Sequence, residues 1–331
     1  MANMENVSTL SKRIVKDKVI ISYIIVVALF GIGQIAVPGF ASFHHIMTVV
    51  QTSFFLGMLC LGQTIVVISG KEGIDLSVGP MLTVGVITSS AILMGRDSNF
   101  LIALVGVLIL GFALGLVNGI GVSYLGIAPL IMTLAWGIVV EGALLFITDG
   151  FPPGRASPLL QILGGGSARF NIGAFSVRIP WVIFIWAFII IVVLVLFKKT
   201  IVGRVLYGIG TNDRASNLMG INTKKIRMLV YGFSGMFSAF SGMLLLGYVT
   251  NPNLNLGIHY GLPSVAAIVI GGISLAGGSG SYIGAVAGSI ILTTLTSLLV
   301  TFRFGESGRQ IVFGTVLLIL LVLYARQPKK L

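Results

Sequence analysis

Acidic residues are scarce. Asp and Glu number 9 among 331 residues, and all charged types together make up only 9% of the chain. A soluble domain carries about 25% charged residues, so a water-facing globular fold is excluded. Cysteine occurs once, at Cys60. No disulfide can form within the chain and no cysteine cluster can hold a metal, which leaves Cys60 as a small apolar packing residue. The three histidines, His44, His45 and His259, fall in segments read as outward loops and lack a metal-ligand spacing. No G-x-x-x-x-G-K-[ST] is present, and Lys198-Lys199-Thr200 lacks the glycines. The chain therefore has no P-loop to cradle ATP phosphates. No Ser-His-Asp set or carboxylate pair is arranged for catalysis. The expectation is a protein that is not an enzyme and holds no cofactor of its own.

What is present is apolar. Hydrophobic residues make up 56% of the chain, and its mean hydropathy is +1.06. Uncharged runs of about 20 residues recur, each long enough to cross a bilayer core of about 30 Å as a helix. The short alternating strands of a membrane barrel are missing. The expected fold is an all-α polytopic membrane protein with about ten segments: 19–37, 46–69, 77–95, 100–124, 129–148, 180–197, 228–250, 263–276, 282–300 and 310–324. The segment 263–276 is too short to span as a straight helix, so a half-crossing or broken helix is expected there. The first run follows Lys12, Arg13, Lys16 and Lys18, as a signal peptide would. It is long for a cleaved h-region, and Pro38 follows without a small-x-small site, so it reads as an uncleaved first span.

Charge gives the orientation. Residues 1–18, 198–227 and 325–331 hold 4, 7 and 3 Lys or Arg, 14 of the 21 in the chain. Basic loops stay inside, so the N-tail 1–18, the loop 198–227 and the C-tail 325–331 are expected in the cytoplasm. The membrane domain covers 19–324, and the Gly-, Pro- and Ser-rich connection 149–179 faces outward. The net charge of +12 reflects topology and lipid headgroups and does not imply nucleic-acid binding.

Glycine, at 44 residues, marks close approaches. Gly111, Gly115 and Gly119 are spaced by four, as are Gly280, Gly284 and Gly288, so each set lines one helix face. Packing within the chain and a subunit interface both fit these stripes. Ile68-Ser69-Gly70, with Gly79 nine residues beyond Gly70, resembles Ile270-Gly271-Gly272, with Gly280 nine residues beyond Gly271. This suggests an internal parallel repeat.

Two polar segments stand out. In Glu72-Gly73-Ile74-Asp75-Leu76-Ser77-Val78-Gly79-Pro80, charges sit between apolar spans, where they need hydration, a partner or a helix end. Asp75 or Ser77 can cap the helix running to Leu93, and a gate or solute contact is the other reading. Asn118, on an apolar helix, suits either a solute hydroxyl in a pore or a bond between helices. The second segment, 198–227, holds seven basic residues against one acid, Asp213. Inside it, Arg214-Ala215-Ser216-Asn217-Leu218-Met219-Gly220 reads as a short helix ended by glycine. Such a helix can seat in a groove on a soluble partner or lie on anionic lipid.

The Gly73-Ile74-Asp75-Leu76-Ser77-Val78-Gly79 run resembles the signature of sugar-importer permeases of the ribose/galactoside/arabinose branch of bacterial ABC transporters. The similarity continues through Leu116–Gly119, Pro129–Leu134, Thr200–Asn212, Ala215-Ser216, Gly220-Ile221, Ala266–Gly272 and Gly277–Gly280. It covers nearly the whole chain in order. The chain departs at Gly261-Leu262-Pro263, where many members carry Glu-Leu-Asp, and at Glu141-Gly142, where Arg-Gly is common. The resemblance implies the membrane subunit of a sugar importer in the bacterial inner membrane. Its implied partners are a second permease chain, identical or not, a cytoplasmic ATPase that uses the ATP, and an extracytoplasmic solute-binding protein. It also implies that Asn212, Arg214, Ala215, Ser216 and Gly220 form the ATPase-coupling element, and that Asp75, Ser77, Gly79, Asn118, Gly271 and Gly272 are pathway or gate residues. The rival readings are a branched-chain amino-acid permease of a related branch and a secondary transporter working alone. The latter class is usually marked by paired ionisable groups at mid-membrane, whereas Glu141 is the only acid inside an expected span.

Overall fold

A computed structural model describes residues 18–70, 73–172 and 175–325. Lys71 and Glu72, the N-tail before Lys18 and the C-tail after Ala325 lie outside the described residues. Every expected apolar segment contains a helix, which in 263–276 ends at Ile270. The helices are α1 (Lys18–Ala36), α2 (Phe43–Ile68), α3 (Val78–Leu93), α4 (Phe100–Ser123), α5 (Pro129–Thr148), α6 (Pro158–Gly165), α7 (Trp181–Lys199), α8 (Ile201–Thr211), α9 (Asp213–Leu218), α10 (Thr223–Val249), α11 (Gly261–Ile270), α12 (Tyr282–Thr301) and α13 (Glu306–Ala325). Among the described residues, seven helices are long and apolar enough to cross a membrane.

The long helix α10 runs through the centre, against α2, α3 and α4. Its contact with α4 depends on glycine. A Cβ at Gly115 or Gly119 would overlap the backbone at Tyr231 or Met228 of α10, so the helices meet backbone to backbone. The first glycine stripe is thus a seam inside the chain. Part of the second stripe is too, since Gly284 and Gly288 press on the backbone of Gly271 and Ala267.

Two central helices are short. At 1.5 Å per residue, α3 and α11 are about 24 Å and about 15 Å long. The half-crossing expected for 263–276 is α11, which stops at Ile270. The segment 77–95 is shorter than a full span for a local reason: residues up to Ser77 build a turn, and Met94, at φ 47, ends the helix. Of the two, α3 buries nearly all of its residues, and α11 buries Ser264–Ile268 while Leu262 near its start is exposed. The turns that close α2 and α11 share one backbone form. Ser69 and Gly271 are right-handed caps, and Gly70 and Gly272 both have φ +83. The glycines nine residues on differ, because Gly79 lies within α3 whereas Gly280 precedes α12 at φ +132.

The connection 149–179 has secondary structure of its own among the described residues. It contains α6, capped by the Ser157 hydroxyl at Leu160 N, and an antiparallel hairpin of β1 (Ser167–Ile172) and β2 (Phe175–Pro180). Asp97 Oδ1 accepts from Leu159 N at 2.9 Å, tying α6 to the α3–α4 connection.

Candidate functional site

The turn before α3 is the centre of a buried polar network. Asp75 is fully buried. Its Oδ1 accepts from Ser77 N at 3.0 Å and from the Ser77 hydroxyl at 2.6 Å, and its Oδ2 accepts from the Ser234 hydroxyl of α10 at 2.7 Å. The Ser77 hydroxyl in turn accepts from Asn118 Nδ2 of α4 at 2.7 Å. Gln63 of α2 binds the Asp75 main chain from both sides: its Nε2 donates to Asp75 O, and its Oε1 accepts from Asp75 N at 3.2 Å. Thr133 of α5 accepts from Leu76 N at 3.1 Å. One turn thus fastens four helices.

This arrangement refines the capping expectation. Ser77 stands at the N-cap position of α3 but makes no side-chain cap bond. The Asp75 carboxylate satisfies the Ser77 N–H instead, one residue before the helix. Asn118 binds helix to turn, with both partners buried. Gly79 sits one turn further on and lines a groove of about 420 Å³ with Pro80, Gly137, Glu141 and Gly257. Gly271 and Gly272 belong to a different place, the turn after α11, with Gly272 against the Lys18 side chain. The six residues therefore do not form one site. Gln63, Thr133 and Ser234 are the members that sequence reasoning missed. The available signal was their polarity within apolar helices.

The basic segment folds into α8, α9 and the start of α10. The Asn212 side chain caps α9 by accepting from Ala215 N at 2.9 Å. At the other end Gly220 N donates to Asn217 O at 3.0 Å and Ile221 N to Ser216 O at 3.1 Å, with Gly220 at φ +82. This is the double-bonded glycine stop of a short helix. Ser216 points inward and is buried, while Arg214 and Ala215 are exposed. Beyond them Leu218 is 83% exposed and Met219 70%, an apolar tip on a polar loop. Arg227, the fifth residue of α10, is 3% exposed and pairs with Asp213 at 3.0 Å. Its Nε donates to Ser69 O at the end of α2, at 3.3 Å. The Tyr207 hydroxyl of α8 donates to Gly280 O at 2.7 Å, and burial raises the Tyr207 phenol above its usual pKa.

A third feature is a cavity of about 720 Å³ at the ends of α2, α10 and α12 that lie away from the basic segment. Among the described residues its walls include His45, Thr48, Thr52, Tyr248, His259, Tyr260, Thr296, Ser297, Arg309 and Phe313, with no Asp or Glu. His45 and Ser297 lie 3.0 Å apart across it. His44 and His45 were expected in an outward loop; they belong to the first turn of α2 instead.

Fold and polar interior together define a multi-pass membrane protein. The family described as branched-chain amino acid transport system / permease component matches residues 45–322. A probable ABC transporter permease protein of Sinorhizobium fredii is 33% identical over 275 residues, covering 82% of this chain and 78% of the relative. The ribose import permease protein of Escherichia coli is 29% identical over 299 residues, 90% of this chain and 91% of the relative. The galactose/methyl galactoside import permease protein of the same species is 29% identical over 322 residues, 92% and 94%. No solved structure matches the chain. The chain belongs to this family of ABC-transporter permease components.

Proposed function

We propose that the chain is the membrane subunit of a bacterial inner-membrane importer for a sugar or sugar-like polyol. In this reading two permease chains enclose the pathway, a cytoplasmic ATPase hydrolyses the ATP, and an extracytoplasmic binding protein delivers the solute. The termini and the segment 198–227 face the cytoplasm. The outer cavity carries the assignment of solute class. Its threonine hydroxyls donate to their own helices, as Thr48 does to His44 O at 3.0 Å and Thr296 to Leu292 O at 2.8 Å. Each oxygen keeps lone-pair capacity for a donor, which suits the O–H groups of a sugar. A zwitterionic amino acid brings both charges; Arg309 could meet its carboxylate, but no described wall residue offers its ammonium a carboxylate. The ribose and galactoside relatives point the same way.

On the cytoplasmic side, α9 is the coupling element. Asn212 and Gly220 fix its two ends, Ser216 anchors it inward, and Arg214, Ala215, Leu218 and Met219 face the ATPase. Exposed apolar residues on a rigid short helix fit insertion into a groove of that subunit. Asp75, Ser77 and Asn118 act by holding the helices around the pathway in register.

The test is uptake into proteoliposomes containing the chain with its ATPase and binding protein, using labelled pentose, hexose and leucine. ATP-dependent sugar uptake is expected. Leucine uptake with no sugar uptake would move the assignment to the amino-acid branch. Uptake by the chain alone, without ATPase, would make it a secondary transporter.

A further inference from the structure

We infer that Arg227 is the strut that transmits movement of α9 to the core of the bundle. The inference rests on α9 as the coupling element. Three observations carry it. First, Arg227 is nearly fully buried, unlike the exposed Arg214 and Lys225 of the same segment. Second, its guanidinium reaches two elements at once: Asp213, the first residue of α9, and Ser69 O, at the close of α2. Third, Ser69 lies six residues before Asp75 in the chain, and Asp75 binds Ser77 and, on α10, Ser234.

The geometry makes the path mechanical. A planar guanidinium is one rigid fork, so Arg227 holds its ion pair with Asp213 at 3.0 Å and its hydrogen bond to Ser69 O at 3.3 Å at a set separation; a lysine ammonium on a flexible stem does not. A second anchor links Thr223 Oγ1 to Asn217 Oδ1 at 3.2 Å, so α9 cannot slide along the start of α10 without dragging it. Close by, the backbone at Gly210 packs against Ile68 O and Gly278, which limits other directions of movement. A push on α9 is thereby directed through Arg227 onto the end of α2. Arg227 is a positioning residue; it needs no contact with solute or nucleotide.

The test compares wild type, Arg227→Met, Arg227→Lys and Asp213→Asn in the full complex, reconstituted in proteoliposomes. ATP hydrolysis and sugar uptake are measured together and expressed as ATP used per solute moved. Met keeps much of the apolar stem and removes the fork. We expect Arg227→Met to retain the ATPase on co-purification while ATP used per solute rises at least tenfold. Lys should give an intermediate ratio. Asp213→Asn, at a partly exposed position that tolerates the change without loss of packing, should raise the ratio several-fold. The exchanged pair Asp213→Arg/Arg227→Asp should recover part of the coupling.

An unchanged ratio in both Arg227→Met and Asp213→Asn would overturn the strut. Loss of ATPase binding, hydrolysis and uptake in parallel in Asp213→Asn would also overturn it, by making the pair an assembly contact. If wild type itself does not bind the ATPase, the importer reading fails and the strut with it. If wild type is coupled and only the solute differs from a sugar, the strut stands or falls on its own ratio.

Discussion

Asp75 is a carboxylate with three hydrogen-bond donors and no contact with water. Removing it leaves Ser77 and Ser234 facing a void, and each unsatisfied buried group costs about 1–3 kcal/mol. Asp75→Ala should therefore lower the yield of folded protein in detergent and its melting temperature. Asp75→Asn keeps the shape and one acceptor oxygen, so it should cost less than half as much. Equal loss of uptake in both variants, at wild-type melting temperatures, would assign the charge itself a role in gating. Gly220 poses a backbone problem instead. Its φ of +82 is strained for a branched residue, although space around it is open. Gly220→Val should leave insertion and binding-protein docking intact while uptake falls at least tenfold. Wild-type uptake with the ATPase still bound would remove α9 from coupling. Asp75 and Gly220 were legible because a charge among apolar spans and a glycine after a polar run each break a pattern. Arg227 was read only as one of seven basic residues. What distinguishes it is its nearness to Asp213 and Ser69, and sequence order does not encode that.

At the scale of elements, hydropathy located the helices because water exclusion acts on each span separately. It overestimated α3, since an apolar run does not reveal where a turn takes its residues from. It also missed α6 and the β1–β2 hairpin, whose strands are six residues each and whose glycines and prolines resemble those of an irregular loop. Orientation belongs to this scale too. With Cys60→Ala as background, a cysteine at Ser167 should react with an impermeant thiol reagent added from outside, and one at Asn217 should not. The reverse pattern would invert the bundle.

For the molecule as a whole, the cavity between α2 and α12 sets the expected response to solute. Each neutral hydrogen bond contributes about 0.5–1.5 kcal/mol, or roughly two- to twelvefold in affinity. Thr48→Val and Thr296→Val keep size and remove a hydroxyl. Each should raise the sugar concentration for half-maximal uptake by about that factor, with the double variant near the product. Unchanged uptake curves in the double variant would place the pathway elsewhere, the Glu141 groove being the next candidate. The cavity was not legible in the sequence, because its walls come from three distant parts of the chain.

The glycine seam between α4 and α10 bears on how the protein is made. The two helices are separated by about 100 residues, which a ribosome adding ~5–20 residues per second needs roughly 5–20 s to synthesise. Throughout that interval α4 sits in the insertion machinery or the bilayer with its smooth face uncovered, because α10, which packs on that face, has not been translated. A bulky residue at Gly115 would then act late. The early helices would insert normally, and the failure would come when α10 arrives and finds its place filled. Such a variant should reach the membrane as a full-length chain and be lost afterwards to quality-control proteolysis.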